Sequence, residues 1–267
     1  MQNNFITVLF IGDIFGRPGR EAVKNLLKKN DDEFDLIIAN CENTSNGKGI
    51  TPQHAIDLFS YGVNVLTSGN HIWSKKDIIP FLNESNPIIR PLNFPSGTPG
   101  KGSILIKLRE EIPIGIINLQ GRIFMKPIDC PFRIALQETK RIKQYTNIII
   151  VDFHAEATSE KVALGYLLDG KVSAIIGSHT HVQTNDAKIL PLGSGYITDV
   201  GMTGPEESII GVDINTIIKS YLYGLPEKFN VAKSYNSQIN YVKIKIDLNT
   251  GCTLSIKSEK ELIRNVE

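Results

Sequence analysis

Four of the chain's five histidines, His71, His154, His179 and His181, fall just after short apolar runs. Asp13 and the pair Glu42-Asn43 end two further runs of the same kind. Asn70 stands beside His71, and Gly12, Gly69 and Gly177 stand where the chain must turn. Imidazole, carboxylate and amide ligands in one set suit Mn, Fe or Zn better than an all-oxygen Mg or Ca site. The chemistry these residue types suit is metal-assisted hydrolysis. His179 and His181 are spaced i and i+2, so an extended backbone would send both rings to one side, about 6.5–7 Å apart. Two ions that share an oxygen lie about 3.5–4 Å apart, so each histidine could serve one ion. Glu42 is long enough to bridge them, with Asp13 on one flank and Asn70 and His154 on the other. Two divalent ions outweigh Asp13, Glu42 and one hydroxide, which leaves a positive site suited to a phosphate ester.

The elements that position these groups are legible as apolar runs alternating with helical patterns, an α/β arrangement. Strands are expected at residues 7–11, 35–39, 63–67, 114–118, 147–153, 173–177 and 195–198. Several are nearly continuous Ile, Val and Leu, as in strands covered on both faces. Helices are expected at 20–29, at 51–60 with Thr51 as cap and Pro52 in the first turn, at 133–144 and at 212–223. Residues 87–102, rich in proline and glycine, read as a long ordered loop. Residues 241–247 alternate strictly and turn at Asn249-Thr250-Gly251 into 252–257, a hairpin at a sheet edge. No internal repeat divides the chain, and residues 1–267 are expected to form a single domain.

Bulk properties narrow the function. A formal net charge of +1 on 267 residues argues against holding a long duplex nucleic acid by counterion release. Cys41, Cys130 and Cys252 are odd in number and far apart, which speaks for a reducing cytoplasm rather than a disulfide framework. The amino-terminal stretch has no basic segment, and the run Phe5–Ile11 is too short for a signal peptide or a membrane span. A cytoplasmic protein with no membrane partner is expected.

The order Gly12-Asp13, Gly69-Asn70-His71, His154 and Gly177-x-His179-x-His181 resembles that of the calcineurin-like metallophosphoesterases. The resemblance narrows to the bacterial YmdB-like family through Glu42-Asn43 and Gly47-Lys48-Gly49-Ile50-Thr51-Pro52. It extends to Asp129-Cys130-Pro131-Phe132-Arg133, to the residues that follow His154, and to Thr198-Asp199-Val200-Gly201-Met202-Thr203-Gly204-Pro205. It implies a four-layer α/β/β/α sandwich with a dinuclear metal site at strand carboxyl ends. It also implies one ion held by Asp13, Glu42, Asn43 and His181, and the other by Glu42, Asn70, His154 and His179. The implied reaction is hydrolysis of small phosphodiesters, including 2′,3′-cyclic nucleotides, by a metal-bridging hydroxide with His71 as general acid. Two departures stand out. Phe15 occupies the place of a metal-binding histidine usual in the superfamily, leaving Asn43 as the substitute. His71 is followed by Ile72, Trp73 and Ser74 rather than by a carboxylate, so its pKa is expected near the ordinary ~6.5.

Other residues read as bystanders. His54 is expected to be structural, Cys41 a buried apolar residue, and Lys75 and Lys76 exposed charge. Gly12 to Gly19 lacks dinucleotide-loop spacing, and Gly47-Lys48-Gly49 is too short for a Walker loop. Arg17, Lys48 and Arg122 are candidate phosphate contacts. The expected protein is therefore a phosphodiesterase that uses two ions of Mn, Fe, Zn or Mg on a nucleotide-sized substrate, with a homo-oligomer as a candidate assembly. Two alternatives are a phosphomonoesterase using the same ions and a metal-binding regulatory or scaffold protein with little turnover.

Overall fold

The computed structural model describes residues 4–29, 33–109 and 111–264. Residues 1–3 of the amino-terminal stretch lie outside them. From the amino end run β1 (Phe5–Ile11), β2 (Asp13–Ile14), α1 (Gly16–Lys29), β3 (Leu36–Asn40), α2 (Pro52–Ser60) and β4 (Val65–Thr67). A 3-10 turn at Ile72–Ser74 and α3 (Ile78–Asn83) lead to β5 (Ser103–Leu108) and β6 (Ile112–Gln120). Next come α4 (Pro131–Ile142), β7 (Ile149–His154), α5 (Thr158–Leu168) and β8 (Ala174–Ser178). The remainder comprises β9 (Lys188–Ile189), β10 (Gly195–Ile197), β11 (Met202–Pro205), α6 (Ile214–Tyr223), β12 (Asn236–Asp247) and β13 (Thr253–Arg264).

These strands make two sheets. One has the order β2-β11-β12-β1-β3-β4, with β13 paired to β12, and the other β5-β6-β7-β8-β10-β9. Strands β1, β3 and β4 run parallel, as do β6, β7, β8 and β10. Side chains alternate across a strand, and the apolar clusters follow that alternation. Val8, Phe10, Ile38 and Ile244 of the first sheet share a buried cluster with Ile116, Ile150 and Ile176 of the second. Leu9, Ile11 and Ala39, one step out of phase, pack with Val23 and Leu26 of α1 and Leu58 of α2. Ile117, Val151 and Phe153 pack with Ala135 of α4 and Leu164 of α5. Continuous apolar strands are thus covered on both faces.

The expected elements recur with shifted ends. Helix α1 begins at Gly16 and α4 at Pro131, earlier than predicted, because Pro18 and Pro131 sit in first turns, where a missing N–H costs nothing. Thr51 caps α2, its side chain accepting from His54 N at 3.3 Å. The carboxyl-terminal hairpin is longer than expected, and β12 lies between β1 and β13. Residues 87–102 hold no helix or strand. Short or mixed segments β2, β5, β9, β11 and α3 escaped the pattern, as did the longer helix α5. Among the described residues, no helix is long and apolar enough to cross a membrane.

Ile244 is fully buried where the two sheets meet. Ile244→Ala is expected to lower unfolding free energy by about 2–5 kcal/mol in urea titration, because the rigid strands around it cannot collapse into the gap. A loss below about 0.5 kcal/mol would show that the sheets are not locked at this point.

Candidate metal centre

Strand ends from both sheets converge on the predicted residues. Asp13 lies in β2, Glu42 and Asn43 follow β3, Asn70 and His71 follow β4, His154 ends β7, and His179 and His181 follow β8. The Asp13 carboxylate is fully buried; Oδ2 accepts from His179 N at 3.2 Å, and Oδ1 lies 3.6 Å from His154 Nδ1. Glu42 joins two loops, with Oε2 accepting from Gly69 N at 2.6 Å and Oε1 from His71 N. Its Oε1 is 3.8 Å from His154 Nε2. Gly69 permits this approach, since a Cβ there would lie 2.1 Å from the His154 ring.

A further layer fixes which ring nitrogens are free. Ser178 Oγ donates to Asp152 Oδ1 at 2.7 Å, so His154 Nδ1–H is the donor to Ser178 Oγ at 3.1 Å. His154 Nε2 then carries a lone pair toward the site. Asn40 Nδ2 donates to the other Asp152 oxygen at 2.9 Å, and Asn40 Oδ1 accepts from Glu42 N at 3.0 Å. One buried network therefore orients ligands from both sheets.

His181 Nδ1 lies 3.0 Å from the Ile210 carbonyl, an acceptor, so that nitrogen carries the proton. Asn43 Nδ2 donates to the Gly47 carbonyl at 2.8 Å, which turns Asn43 Oδ1 toward His181 Nε2 at 3.2 Å. In neutral His181 two acceptor atoms face each other. Such a pair is repulsive unless a positive group serves both. Likewise His154 Nε2 and His179 Nδ1 lie 3.0 Å apart while His179 Nε2 meets Glu156 at 3.0 Å.

The His179–His181 segment departs from the extended run expected from its spacing. Both histidines have left-handed backbones, with φ of 101° and 67°. Asp199 holds the turn: its Oδ2 accepts from Thr180 N at 3.0 Å and Thr180 Oγ1 at 2.7 Å. The buried Lys161 Nζ reaches the same oxygen at 2.6 Å. Left-handed non-glycine backbone persists only where its surroundings enforce it. Here a buried ion pair and two hydrogen bonds do so.

Burial controls the charges. It pushes Asp13 up to about 7, with Asp199 adding to the rise, and raises Glu42 well above the carboxylate range. It lowers His154, His179 and His181, so their imidazoles are neutral and able to ligate. His71 is also displaced from its expected value. Burial lowers it to about 4, helped by Lys48 and His179.

These side chains open onto a cleft of about 660 Å³ lined by Glu42, Asn43, His71, His179 and His181. Lys48 lines it too, as expected of a phosphate contact. Lys75, read from sequence as exposed charge, is half-buried on the same wall. Arg17 is exposed and does not line the cleft; Arg122 lines a different hollow with Phe132 and Glu160. His54 is engaged with Ser45 Oγ at 2.7 Å, and Cys41 is buried in an apolar cluster. Glu156 and Thr180 went unread because partners such as His179 and Asp199 are distant in sequence.

Among the described residues, no group of three or more His, Cys, Asp or Glu side chains is already drawn together as a cation site. The contacts are pairwise and include the amides of Asn43 and Asn70. The donor set nonetheless fits a cationic group. Asp13 Oδ1 and Asn70 Oδ1 are buried without a hydrogen-bond partner, and lone pairs face each other at His181 and Asn43.

The chain is similar to several known proteins along almost its whole length. The family described as YmdB-like protein matches residues 9–258. A Bacillus subtilis protein named 2′,3′-cyclic-nucleotide 2′-phosphodiesterase is 44% identical over 260 residues, covering 97% of each chain. The crystal structure of a novel phosphatase from Mycoplasma pneumoniae superposes with a TM-score of 0.91 at 37% identity, covering 99% of this chain and 96% of that one. That of a hypothetical protein from Thermus thermophilus gives 0.90 at 40% identity, covering 96% and 99%.

With its pKa raised to about 7, Asp13 is about half protonated in metal-free protein at pH 7. Uptake of a divalent ion is therefore expected to release protons at pH 7, with Glu42, whose carboxyl is also raised by burial, adding to the release. Titration calorimetry with Mn²⁺ in buffers of different ionisation enthalpy measures this directly. Heat independent of the buffer at pH 7 would contradict it.

Proposed function

The chain belongs to the YmdB-like family, and from that premise we propose that it hydrolyses small phosphodiesters, with 2′,3′-cyclic nucleotides as substrate class. The observation that carries this reading is the facing pair of acceptors, His181 Nε2 and Asn43 Oδ1, at the edge of an open cleft. One ion would be held by Asp13, Glu42, Asn43 and His181, and a second by Glu42, Asn70, His154 and His179. When bound, the ions would supply positive charge for the phosphoryl oxygens and acidify an attacking water. The shared inter-sheet core, with helices packed on the outer faces, supports a four-layer α/β/β/α domain.

The chain's own residues then divide the work. Lys48 and Lys75 line the cleft as cations for the anionic diester. Water oxygen bonds to phosphorus, the bond from phosphorus to the 2′ oxygen breaks, and that oxygen departs as an alcohol. His71 would supply the proton. Its lowered pKa leaves it neutral in the free protein at neutral pH. An anionic diester beside the ring restores proton affinity, so the imidazole would take up a solvent proton as substrate binds and then give it to the leaving oxygen. Lack of a carboxylate beside His71 suits this role, because the substrate itself provides the counter-charge.

Purified protein loaded with Mn²⁺ is expected to convert 2′,3′-cyclic AMP to 3′-AMP, to stop on chelation and to recover when Mn²⁺ is restored. No turnover at full metal occupancy would remove the enzyme reading. Glu42→Gln and His154→Ala are expected to lose metal content and turnover together. His71→Ala is expected to keep its metal and lose about 10²–10⁴-fold in turnover of the cyclic nucleotide. The same variant should lose far less on a p-nitrophenyl diester, whose leaving group needs no proton. Equal losses on both substrates would take the acid role away from His71.

A further inference from the structure

The cleft has two chemically different walls. One carries the polar residues described above. The other is built from the segment 209–231 and includes Ile210, Val212, Ile217, Tyr221, Phe229 and Val231, with Asn230 and the Lys219-paired Glu227 as its polar members. Its backing is fixed, because Phe15, Met202, Val212 and Ile217 form a buried apolar cluster. Its front is exposed: Tyr221 is 81% and Phe229 49% accessible although both line the cleft. Exposed aromatic rings beside such an apolar lining suit a flat apolar group.

We infer that this second wall is a nucleobase subsite, with Tyr221 and Phe229 as the stacking residues. The inference rests on the phosphodiesterase reading and extends it to the part of the substrate that does not react. Ile210 ties the two walls together. Its backbone is left-handed, with φ of 46°, a costly conformation for a β-branched residue. In that conformation its carbonyl meets His181 Nδ1 at 3.0 Å while its side chain lines the cleft. A phosphate at the histidines therefore lies next to the segment that carries the apolar residues.

Size and polarity select a nucleoside over other diesters. A cleft of about 660 Å³ lies within the about 300–1,000 Å³ common for small-molecule sites. Asn46 and Asn230 also line it, and a base offers edges to their amides where an acyl chain offers none. Stacking depends on ring area more than on hydrogen-bond pattern, so all four bases are accepted and purines bind better than pyrimidines. The wall is separate from the reacting atoms, so the preference falls on KM rather than kcat.

The test is the double variant Tyr221→Ala/Phe229→Ala, compared with Tyr221→Phe/Phe229→Tyr. With Mn²⁺ present, the alanine pair is expected to raise KM for 2′,3′-cyclic AMP about tenfold or more, leaving kcat within about twofold. The aromatic exchange should keep the wild-type KM. Methyl riboside 2′,3′-cyclic phosphate, which has no base, should show the same KM in all three proteins. An unchanged KM for the nucleotide in the alanine pair overturns the subsite, as does an equal rise for the base-free diester. So does a change in sedimenting mass with KM unmoved, which would make the wall a contact between copies. Failure of the wild type on both substrates strikes the phosphodiesterase reading instead. Binding of 3′-AMP against ribose 3-phosphate, measured by calorimetry, then decides the subsite separately: base-dependent affinity lost in the alanine pair supports it, and its absence in the wild type overturns it.

Discussion

Buried acceptors short of positive charge are the constraint on which this structure turns. Asp13, Glu42 and Asp152 lie in a low-dielectric interior with the imidazoles of His154 and His181, and the half-buried His179 stands at its edge. Burial drives the acids toward protonation and the histidines toward neutrality. What the chain itself offers is backbone N–H groups: Gly69 and His71 donate to Glu42, and His179 donates to Asp13. Those bonds dictate loop shape. The turn after β4 must bring two amide groups to one carboxylate, and the turn after β8 must aim a histidine amide backwards.

The consequence of that arrangement appears one layer out. Two histidines with positive φ are held because Asp199 binds Thr180 between them and Lys161 neutralises Asp199 in the interior. A buried ion pair contributes little net stability, because desolvation offsets its attraction. Its role here is geometric. The Asp152–Ser178–His154 chain acts similarly, committing one ring proton to a hydroxyl so that the opposite nitrogen stays bare. Both devices come from the second sheet or its helices, and both act where the two sheets meet.

Much of this could be read before the structure. Buried parallel strands declare themselves as runs of Ile and Val, and a polar residue at the end of each run marks the sheet's carboxyl edge. The grouping of Asp13, Glu42, Asn70, His154 and His179 could be anticipated, because each lies in or just after a strand whose end fixes it. Backbone reversal could not be read. His179-Thr180-His181 has the spacing of an extended segment, and the partner that bends it, Asp199, is remote in sequence. His71's low pKa was hidden for the same reason: it is set by burial and by Lys48, not by the adjacent Ile72 and Trp73. Lys75 looked like surface charge until the fold turned it into the cleft.

Phe15 stands where the resemblance drawn from the sequence leads one to expect a metal-binding histidine. Phe15 and Asn43 form an isolated parallel bridge, which sets their backbones side by side. In the proposed ligand set, Asn43 thus stands on backbone that neighbours Phe15 in the same corner of the site. Phe15 cannot ligate, yet its ring meets His181 edge-on at 5.7 Å and 81°. Its packing is close: a Cβ at Gly47 would come within 2.8 Å of the ring, and one at Gly211 within 2.6 Å. An aromatic wall there shields one side of His181 from water, and polar attraction strengthens where water is excluded. Phe15 also belongs to the apolar cluster that backs Val212 and Ile217. Phe15 therefore joins the polar centre to the apolar half of the cleft.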